Sequence, residues 1–201
     1  MSTEIENMSI AKEPQLRMYS PPTKNSKEQS KEKIDVISLF SGCGGMDLGF
    51  DKAGFNIKWA NDIEKRACET YAKNIGDHIV CGDITELDYS QIPDADLILG
   101  GFPCQDFSIA NRTANKGLDG KKGRLWWSIE SFLKQLKGDA PKYLLLENVD
   151  RLLLSPTVQR GRDFGVILAS LNSLGYAIEW RVINAADYGF PQRRRRVFIL
   201  G

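Results

Sequence analysis

Short apolar strand-like runs alternate with helix-like segments along most of this chain. The first run, residues 34–40, is rich in β-branched side chains and fits a buried parallel strand. Later strand-like runs lie at 56–60, 78–81, 97–100, 143–147, 176–183 and 197–200, and helix-like segments lie at 46–53, 63–74, 124–136 and 158–174. Gly175 is expected to end the last helix. This alternation predicts an α/β fold with a doubly wound, mostly parallel sheet.

The first 33 residues differ in composition from the rest. Ser, Lys, Glu, Pro and Asn dominate there, and no apolar period persists. Such a segment buries too little apolar surface to offset its ordering entropy. We therefore expect a disordered tail over residues 1–33 and one domain over residues 34–201. Because the chain stops directly after a strand, we expect that domain to be truncated at its C-terminus.

Charge and cysteine content narrow the functional classes. The net charge is +1, so nucleic-acid affinity would have to come from local patches. The four cysteines form no Cys-x-x-Cys pair, which argues against a structural metal site. No apolar run approaches bilayer-spanning length, and no signal peptide is recognisable. We expect a cytoplasmic protein with free thiols, no membrane contact and no metal, in which Cys68 and Cys81 are inert buried fillers.

A glycine-rich turn follows the first predicted strand, at residues 40–45. Glycines at such a turn let a ligand approach the backbone at a helix N-terminus. Asp62 follows Gly42 by 20 residues, where an acidic side chain commonly binds ribose hydroxyls. Asp83 ends the next strand at the same sheet edge. The pattern predicts a nucleoside site, with three ordinary polar strand caps as the alternative.

Reactive side chains also follow the fourth and fifth predicted strands. Cys104 comes after Pro103, which stiffens the backbone, and a polar, glycine-rich loop follows it as far as Gly123. A nucleophilic cysteine in such a loop, which could act as a lid, is a candidate for covalent catalysis. Glu147 ends an apolar strand, where a carboxylate is either capped by a helix N-terminus or functional.

Four consecutive arginines, Arg193 to Arg196, precede the last predicted strand. They could form a solvated face or a phosphate clamp. Strand alternation places Arg194 and Arg196 on one face and the other two on the opposite face, so at most half can line a pocket.

Taken together and in order, these motifs resemble the DNA cytosine-5 methyltransferases, from Asp35 to Gly201. The matching segments are Phe-x-Gly-x-Gly-Gly at 40–45, Asn61-Asp62, Gly82-Asp83-Ile84, the Gly-Phe-Pro-Cys-Gln-x-Phe-Ser loop at 101–108, Glu147-Asn148-Val149 and Gln-Arg-Arg-Arg-Arg-Val at 192–197. The resemblance implies a Rossmann-like S-adenosylmethionine-dependent methyltransferase fold with an antiparallel last strand. It also implies methyl transfer from S-adenosylmethionine to C5 of a flipped-out cytosine in duplex DNA.

The resemblance assigns roles by position. Cys104 would attack cytosine C6, Glu147 would bind or protonate N3, and Arg194, with Arg196 nearby, would donate to O2. Cofactor-binding positions are Phe40, Gly42, Cys43, Gly44, Gly45, Asp62, Ile63, Asp83, Ile84, Pro103 and Leu125; DNA-binding positions are Gln105, Ser108 and Lys122.

The chain departs from the family pattern at three places. Arg195 replaces the usual Glu, which adds charge and removes an ion-pair partner, and Lys122 replaces the usual Arg. Because the sequence stops at Gly201, we expect the chain to lack the variable target-recognition region and the final motifs of the family. The first alternative is therefore an inert fragment, or one half of a split enzyme that needs a second chain carrying that region. The second alternative is an RNA cytosine-5 methyltransferase. A small-molecule methyltransferase would leave Cys104, Glu147 and Arg194 unexplained. The resemblance also implies an origin in a bacterial or phage restriction–modification system.

Overall fold

Seven strands and four helices form the domain in this computed structural model, which describes residues 33–102, 125–136, 140–155 and 159–201. Most of the predicted tail therefore lies outside the described residues. The strands are β1 Asp35–Leu39, β2 Asn56–Asp62, β3 Ile79–Cys81, β4 Leu97–Gly100, β5 Tyr143–Val149, β6 Glu179–Asn184 and β7 Arg195–Leu200. The helices are α1 Gly45–Lys52, α2 Lys65–Asn74, α3 Leu125–Gln135 and α4 Arg162–Ser173.

The strands form one sheet in the order β3-β2-β1-β4-β5-β7-β6. β1 to β5 are parallel, whereas β7 pairs antiparallel with both β5 and β6. The predicted mostly parallel sheet with an antiparallel last strand is confirmed. The strand order reverses between β1 and β4, and ligands of open α/β sheets bind beside the carboxyl ends of the strands at such a point.

The core lies on both faces of this sheet. On one face α3 and α4 pack against the strands, and Trp126, Ile129 and Leu133 of α3 are buried, as the helical spacing predicts. On the other face Val36, Leu97 and Leu99 are buried beneath side chains of α1. Each large apolar side chain buried in this way contributes about 1.5–3 kcal/mol. The central strands are thereby held rigidly, and their carboxyl ends can position a site.

Two predicted boundaries are wrong by three or more residues. α4 begins at Arg162 because Gly161, with φ +84°, adopts a left-handed conformation that ends any helix approaching from before it. The sixth strand begins at Glu179 and not at residue 176. Tyr176 instead turns into the core and donates its hydroxyl hydrogen to the Pro141 carbonyl at 2.6 Å.

Within the described ranges, no helix is both long and apolar enough to cross a bilayer. The same residues contain no group of three or more His, Cys, Asp or Glu side chains that could hold a metal ion. Cys43, Cys68 and Cys81 are free thiols. Cys68 is buried as predicted, but Cys81 is exposed, so the prediction that Cys81 is a buried filler is wrong.

Candidate active site

The glycine-rich turn connects β1 to α1 at the carboxyl edge of the sheet. Phe40 has φ +55°, an uncommon conformation for a residue other than glycine, and Gly42 and Gly44 have φ +57° and +82°. The Gly44 N–H donates to the Ser41 carbonyl at 2.9 Å, which closes the turn. A Cβ atom added to Gly42 or Gly45 would meet nothing within 4 Å, so the backbone there is open to a ligand.

Asp62, at the end of β2, faces this turn. Its Oδ2 accepts the Gly42 N–H at 2.8 Å, and its Oδ1 accepts the Glu64 N–H at 2.8 Å. Each oxygen of an ionised carboxylate has room for a second hydrogen bond. Asp62 thus joins the turn to β2 and still offers two acceptors at the sheet edge.

Asn61 and Asp83 organise the neighbouring strand ends. The buried Asn61 amide donates to the carbonyls of Val80 and Gly82 at 2.9 and 3.0 Å, which ties β2 to the loop after β3. Asp83 Oδ1 accepts from the backbone and hydroxyl of Thr85, whereas no described residue donates to Oδ2. Ile84 is only 2 % exposed and belongs to the core, so any ligand contact at this position would use its backbone.

A buried polar chain lies beneath the glycine-rich turn, and the sequence interpretation missed it. Asp47 in the first turn of α1 is fully buried and accepts hydrogen bonds from Ser38 Oγ at 2.7 Å and from the Tyr71 hydroxyl at 2.8 Å. The Tyr71 hydroxyl also lies 3.0 Å from His78 Nε2. Burial raises the pKa of Asp47 despite these hydrogen bonds, and it raises the pKa of Tyr71 as well.

The same tyrosine also fills the space beside Gly44. A Cβ on Gly44 would lie 2.8 Å from two atoms of the Tyr71 ring and 2.0 Å from Ile75 Cδ1. Only glycine fits there. An aspartate two residues after the Gly-Gly pair is the one sequence signal that could have pointed to this network, because a carboxylate is unusual on the buried face of a helix.

A second cluster lies at the end of β5. Glu147 Oε1 accepts from Arg196 Nε at 2.9 Å and lies 3.8 Å from an Arg194 guanidinium nitrogen. Arg195 instead pairs with Asp150, at 3.1 Å. The predicted alternation therefore holds, because Arg194 and Arg196 share one carboxylate while Arg195 binds another. Arg195, which stands where the family usually has Glu, therefore has a carboxylate partner of its own in Asp150.

The end of β4 meets the same carboxylate. A Cβ on Gly101 would lie 3.9 Å from Glu147 Oε2 and 3.9 Å from the Phe40 carbonyl oxygen. The buried Asn148 amide donates to the Phe102 carbonyl at 3.1 Å, and its Oδ1 accepts the Val149 N–H at 2.8 Å. The ends of β1, β4 and β5 therefore converge. Asn148 fixes the backbone just before the cysteine loop, a positioning role that sequence reasoning did not assign.

The other predicted site residues are less informative. Cys43 is exposed on the glycine-rich turn, and the Ile63 side chain is 66 % exposed beside Asp62. Five others lie outside the described residues: Pro103, Cys104, Gln105, Ser108 and Lys122. The side chain of Leu125 also lies outside the described part of the structure. Their roles stay predictions.

The sequence of this chain is similar to those of known methyltransferases. The chain is 51% identical over 181 residues to the type II methyltransferase M.Sau3AI of Staphylococcus aureus, covering 84% of this chain and 43% of that protein. It is 45% identical over 174 residues to the type II methyltransferase M.NgoFVII of Neisseria gonorrhoeae, covering 86% and 44%. The chain thus spans less than half the length of these two curated relatives.

Solved structures show the same fold. A putative DNA modification methyltransferase encoded within an Escherichia coli prophage superposes with a TM-score of 0.63 at 28% identity, covering 84% of this chain and 46% of that one. The Schizosaccharomyces pombe Dnmt2 methyltransferase superposes with a TM-score of 0.66 at 23% identity, covering 84% and 49%. The sequence model of the C-5 cytosine-specific DNA methylases matches residues 34–201. The chain therefore belongs to the C-5 cytosine-specific DNA methylase family.

Proposed function

We propose that this chain carries the catalytic side chains for methyl transfer from S-adenosylmethionine to C5 of cytosine in duplex DNA. The observation that carries this proposal is the convergence at the sheet edge. Glu147 presents Oε2 toward Gly101 while two arginines bind Oε1, and the chain runs from Gly101 directly into the segment that contains Cys104. The family membership of residues 34–201 supports the same reading.

The residues of the glycine-rich edge fit S-adenosylmethionine. The backbone of Gly42 and Gly45 is open to a ligand. Each Asp62 oxygen can accept a hydrogen bond from a ribose hydroxyl, and Asp83 Oδ2 can accept one from an amino group. The exposed Ile63 side chain offers an apolar surface for a base. When bound, this cofactor supplies the methyl group. The residues of this edge hold and orient it.

Glu147 and the arginines divide the recognition of the cytosine ring between them. The Arg196 side chain is 22 % exposed, and its Nε lies 2.9 Å from Glu147 Oε1. Arg196 therefore acts as a positioning residue for the Glu147 carboxylate. Oε2 then remains to bind the N3 edge of the base. Arg194 is 49 % exposed and sits 3.8 Å from Glu147, so its guanidinium can turn to the ring O2 at small cost.

Cys104 is proposed as the nucleophile. Its thiolate would form a bond to C6, which makes C5 nucleophilic toward the methyl group. Once C5 carries the methyl group, loss of the C5 proton would break the bond between C6 and the Cys104 sulfur and restore the ring. Asn148 would fix the start of this loop through the Phe102 carbonyl. Gln105, Ser108 and Lys122 are proposed to contact DNA.

Duplex DNA containing 5-fluorocytosine tests this mechanism. Fluorine replaces the C5 proton that the final elimination must remove, so the covalent adduct with the protein persists. We expect the chain to form a denaturation-resistant complex in the presence of S-adenosylmethionine, and Cys104→Ser to form none. A persistent adduct in the variant would remove Cys104 from its role. Transfer of labelled methyl groups to tRNA but not to duplex DNA would favour the RNA methyltransferase alternative.

The assay is run with the chain alone and with a separate chain that carries a target-recognition region, which tests the split-enzyme alternative. Methyl transfer only in the mixture would identify one half of a split enzyme. No adduct under either condition would refute the proposed activity for this chain. A restriction–modification origin and a cytoplasmic location stay predictions.

A further inference from the structure

Two thiols that the proposed mechanism does not use lie directly behind Asp62. Cys68 is on α2, and its Sγ donates to the Asp62 carbonyl at 3.3 Å. Cys81 ends β3, and its Sγ donates to the Ile63 carbonyl at 4.0 Å. The two sulfur atoms therefore approach the same pair of peptide units, one from the helix and one from the neighbouring strand.

The register of the sheet brings the cysteines together. Cys81 pairs with Asp62 across β2 and β3, and neighbouring strands lie about 4.7–4.9 Å apart. The Cys68 and Cys81 sulfur atoms contact the carbonyls of two successive residues, Asp62 and Ile63. The two side chains differ in access, since Cys81 is exposed while Cys68 is only 6 % exposed. A reagent in solution therefore reaches Cys81 before Cys68.

We propose that Cys68 and Cys81 form a redox-active dithiol that peroxides oxidise to a disulfide, and that this disulfide weakens binding of S-adenosylmethionine at Asp62. The first half rests on geometry alone; the second half rests on the proposed function. The chemistry follows the usual thiol oxidation sequence.

Oxidation proceeds in two balanced steps. The Cys81 sulfur attacks one peroxide oxygen, the O–O bond breaks, and a sulfenic acid and water form. The Cys68 sulfur then attacks the Cys81 sulfur, the S–O bond breaks, and the Cys68 proton leaves with the hydroxide as a second water. Two thiols lose two electrons and one hydrogen peroxide gains them. Burial, followed by the contact with Cys81, raises the pKa of Cys68 to about 12, so the buried thiol acts second.

The disulfide affects Asp62 because the two thiols donate hydrogen bonds to the backbone carbonyls of Asp62 and Ile63. Oxidation removes the S–H donors to the Asp62 and Ile63 carbonyls and draws the Cys68 sulfur toward Cys81. The peptide units that carry the Asp62 carboxylate then lose two of their supports. Misplacing this carboxylate removes a charge-assisted hydrogen bond to the cofactor, which should weaken cofactor binding about tenfold or more.

Peptide mapping tests the first half without any need for activity. The purified chain is treated with hydrogen peroxide, alkylated and cleaved before aspartate residues, which places the two cysteines in separate peptides, 62–76 and 77–82, apart from Cys43 and Cys104. We expect a species in which these two peptides are joined, reversible by dithiothreitol. A Cys81 peptide that carries only sulfenic or sulfinic acid, with no joined species, would overturn the proposal.

Calorimetry with S-adenosylmethionine tests the second half. We expect affinity to fall on oxidation and to recover on reduction, and we expect neither change in Cys81→Ser or Cys68→Ser. Cys81→Ser alters an exposed side chain and is the variant least able to disturb folding. Equal loss of affinity in these variants would refute the role of the pair, and joined peptides with unchanged affinity would refute the coupling. Failure of the reduced chain to bind the cofactor would instead count against the proposed function.

Discussion

Gly44 should be the least replaceable glycine of the turn. The Gly44→Ala side chain would meet Ile75 Cδ1 at 2.0 Å and the Tyr71 ring at 2.8 Å, on a backbone with φ +82°. The left-handed conformation costs a residue with a Cβ about 1–2 kcal/mol. Forcing a methyl group into a packed site costs about 1–3 kcal/mol more. We therefore expect Gly44→Ala to lower the free energy of unfolding by about 2–5 kcal/mol.

Two neighbouring glycines separate these contributions. Gly42 has φ +57° but nothing within 4 Å of an added Cβ, so Gly42→Ala should show the conformational cost alone. Gly45 begins α1 with an ordinary φ and open space, so Gly45→Ala should change stability by less than about 1 kcal/mol.

Urea denaturation followed by circular dichroism measures all three variants. The expected order of destabilisation is Gly44→Ala, then Gly42→Ala, then Gly45→Ala, with an unchanged dependence on urea concentration. Equal losses for Gly44→Ala and Gly42→Ala would refute the claim that Tyr71 and Ile75 fill the space behind the turn.

Three further variants test the site. Asp62→Ala should weaken S-adenosylmethionine binding by about 1–3 kcal/mol in calorimetry, because two hydrogen-bond acceptors are lost. The control Asp88→Ala, which alters another exposed turn, should leave the affinity unchanged. Equal affinities of the two variants for the cofactor would exclude Asp62 from the cofactor site. Arg196→Ala should reduce turnover in whichever assembly is active while leaving cofactor affinity unchanged, because the Arg196 side chain holds the Glu147 carboxylate at the end of β5. The matched control is Arg195→Ala, which breaks a different ion pair. Similar turnover in the two variants would contradict the assignment. Burial raises the pKa of Asp47, so the folded chain keeps this proton to higher pH than the unfolded chain, and its contribution to stability falls as pH rises above the ordinary value of 3.8. Asp47→Asn should flatten that part of the stability profile from about pH 4 toward neutrality; an unchanged slope in thermal denaturation would show that Asp47 is not its source.

The strand and helix pattern was predictable because it depends on local periodicity. β-Branched runs mark the buried parallel strands, and the helical spacing of Trp126, Ile129 and Leu133 identifies the face of α3 that packs on the sheet. The boundary errors arose where a single residue overrides the pattern. Gly161, with its left-handed backbone, makes α4 start four residues later than predicted, and Tyr176 lies outside the strand because its ring is buried and its hydroxyl donates to the distant Pro141 carbonyl.

The candidate site shows the same division. The order of the motifs along the chain was enough to identify the resemblance, and the two-residue alternation of side chains leading into β7 was enough to separate Arg194 and Arg196 from Arg195. These are properties of neighbouring residues, and a sequence records them directly.

Contacts between distant residues required the folded chain. The Asp47–Tyr71 hydrogen bond joins positions 24 apart, and the Asn148–Phe102 hydrogen bond joins positions 46 apart. The local hydrogen bond of these side chains, from the Val149 N–H to Asn148 Oδ1, does not reveal either role. Their geometry depends on the sheet order and on which helix covers which face, because only packing brings such buried polar groups close enough to satisfy one another.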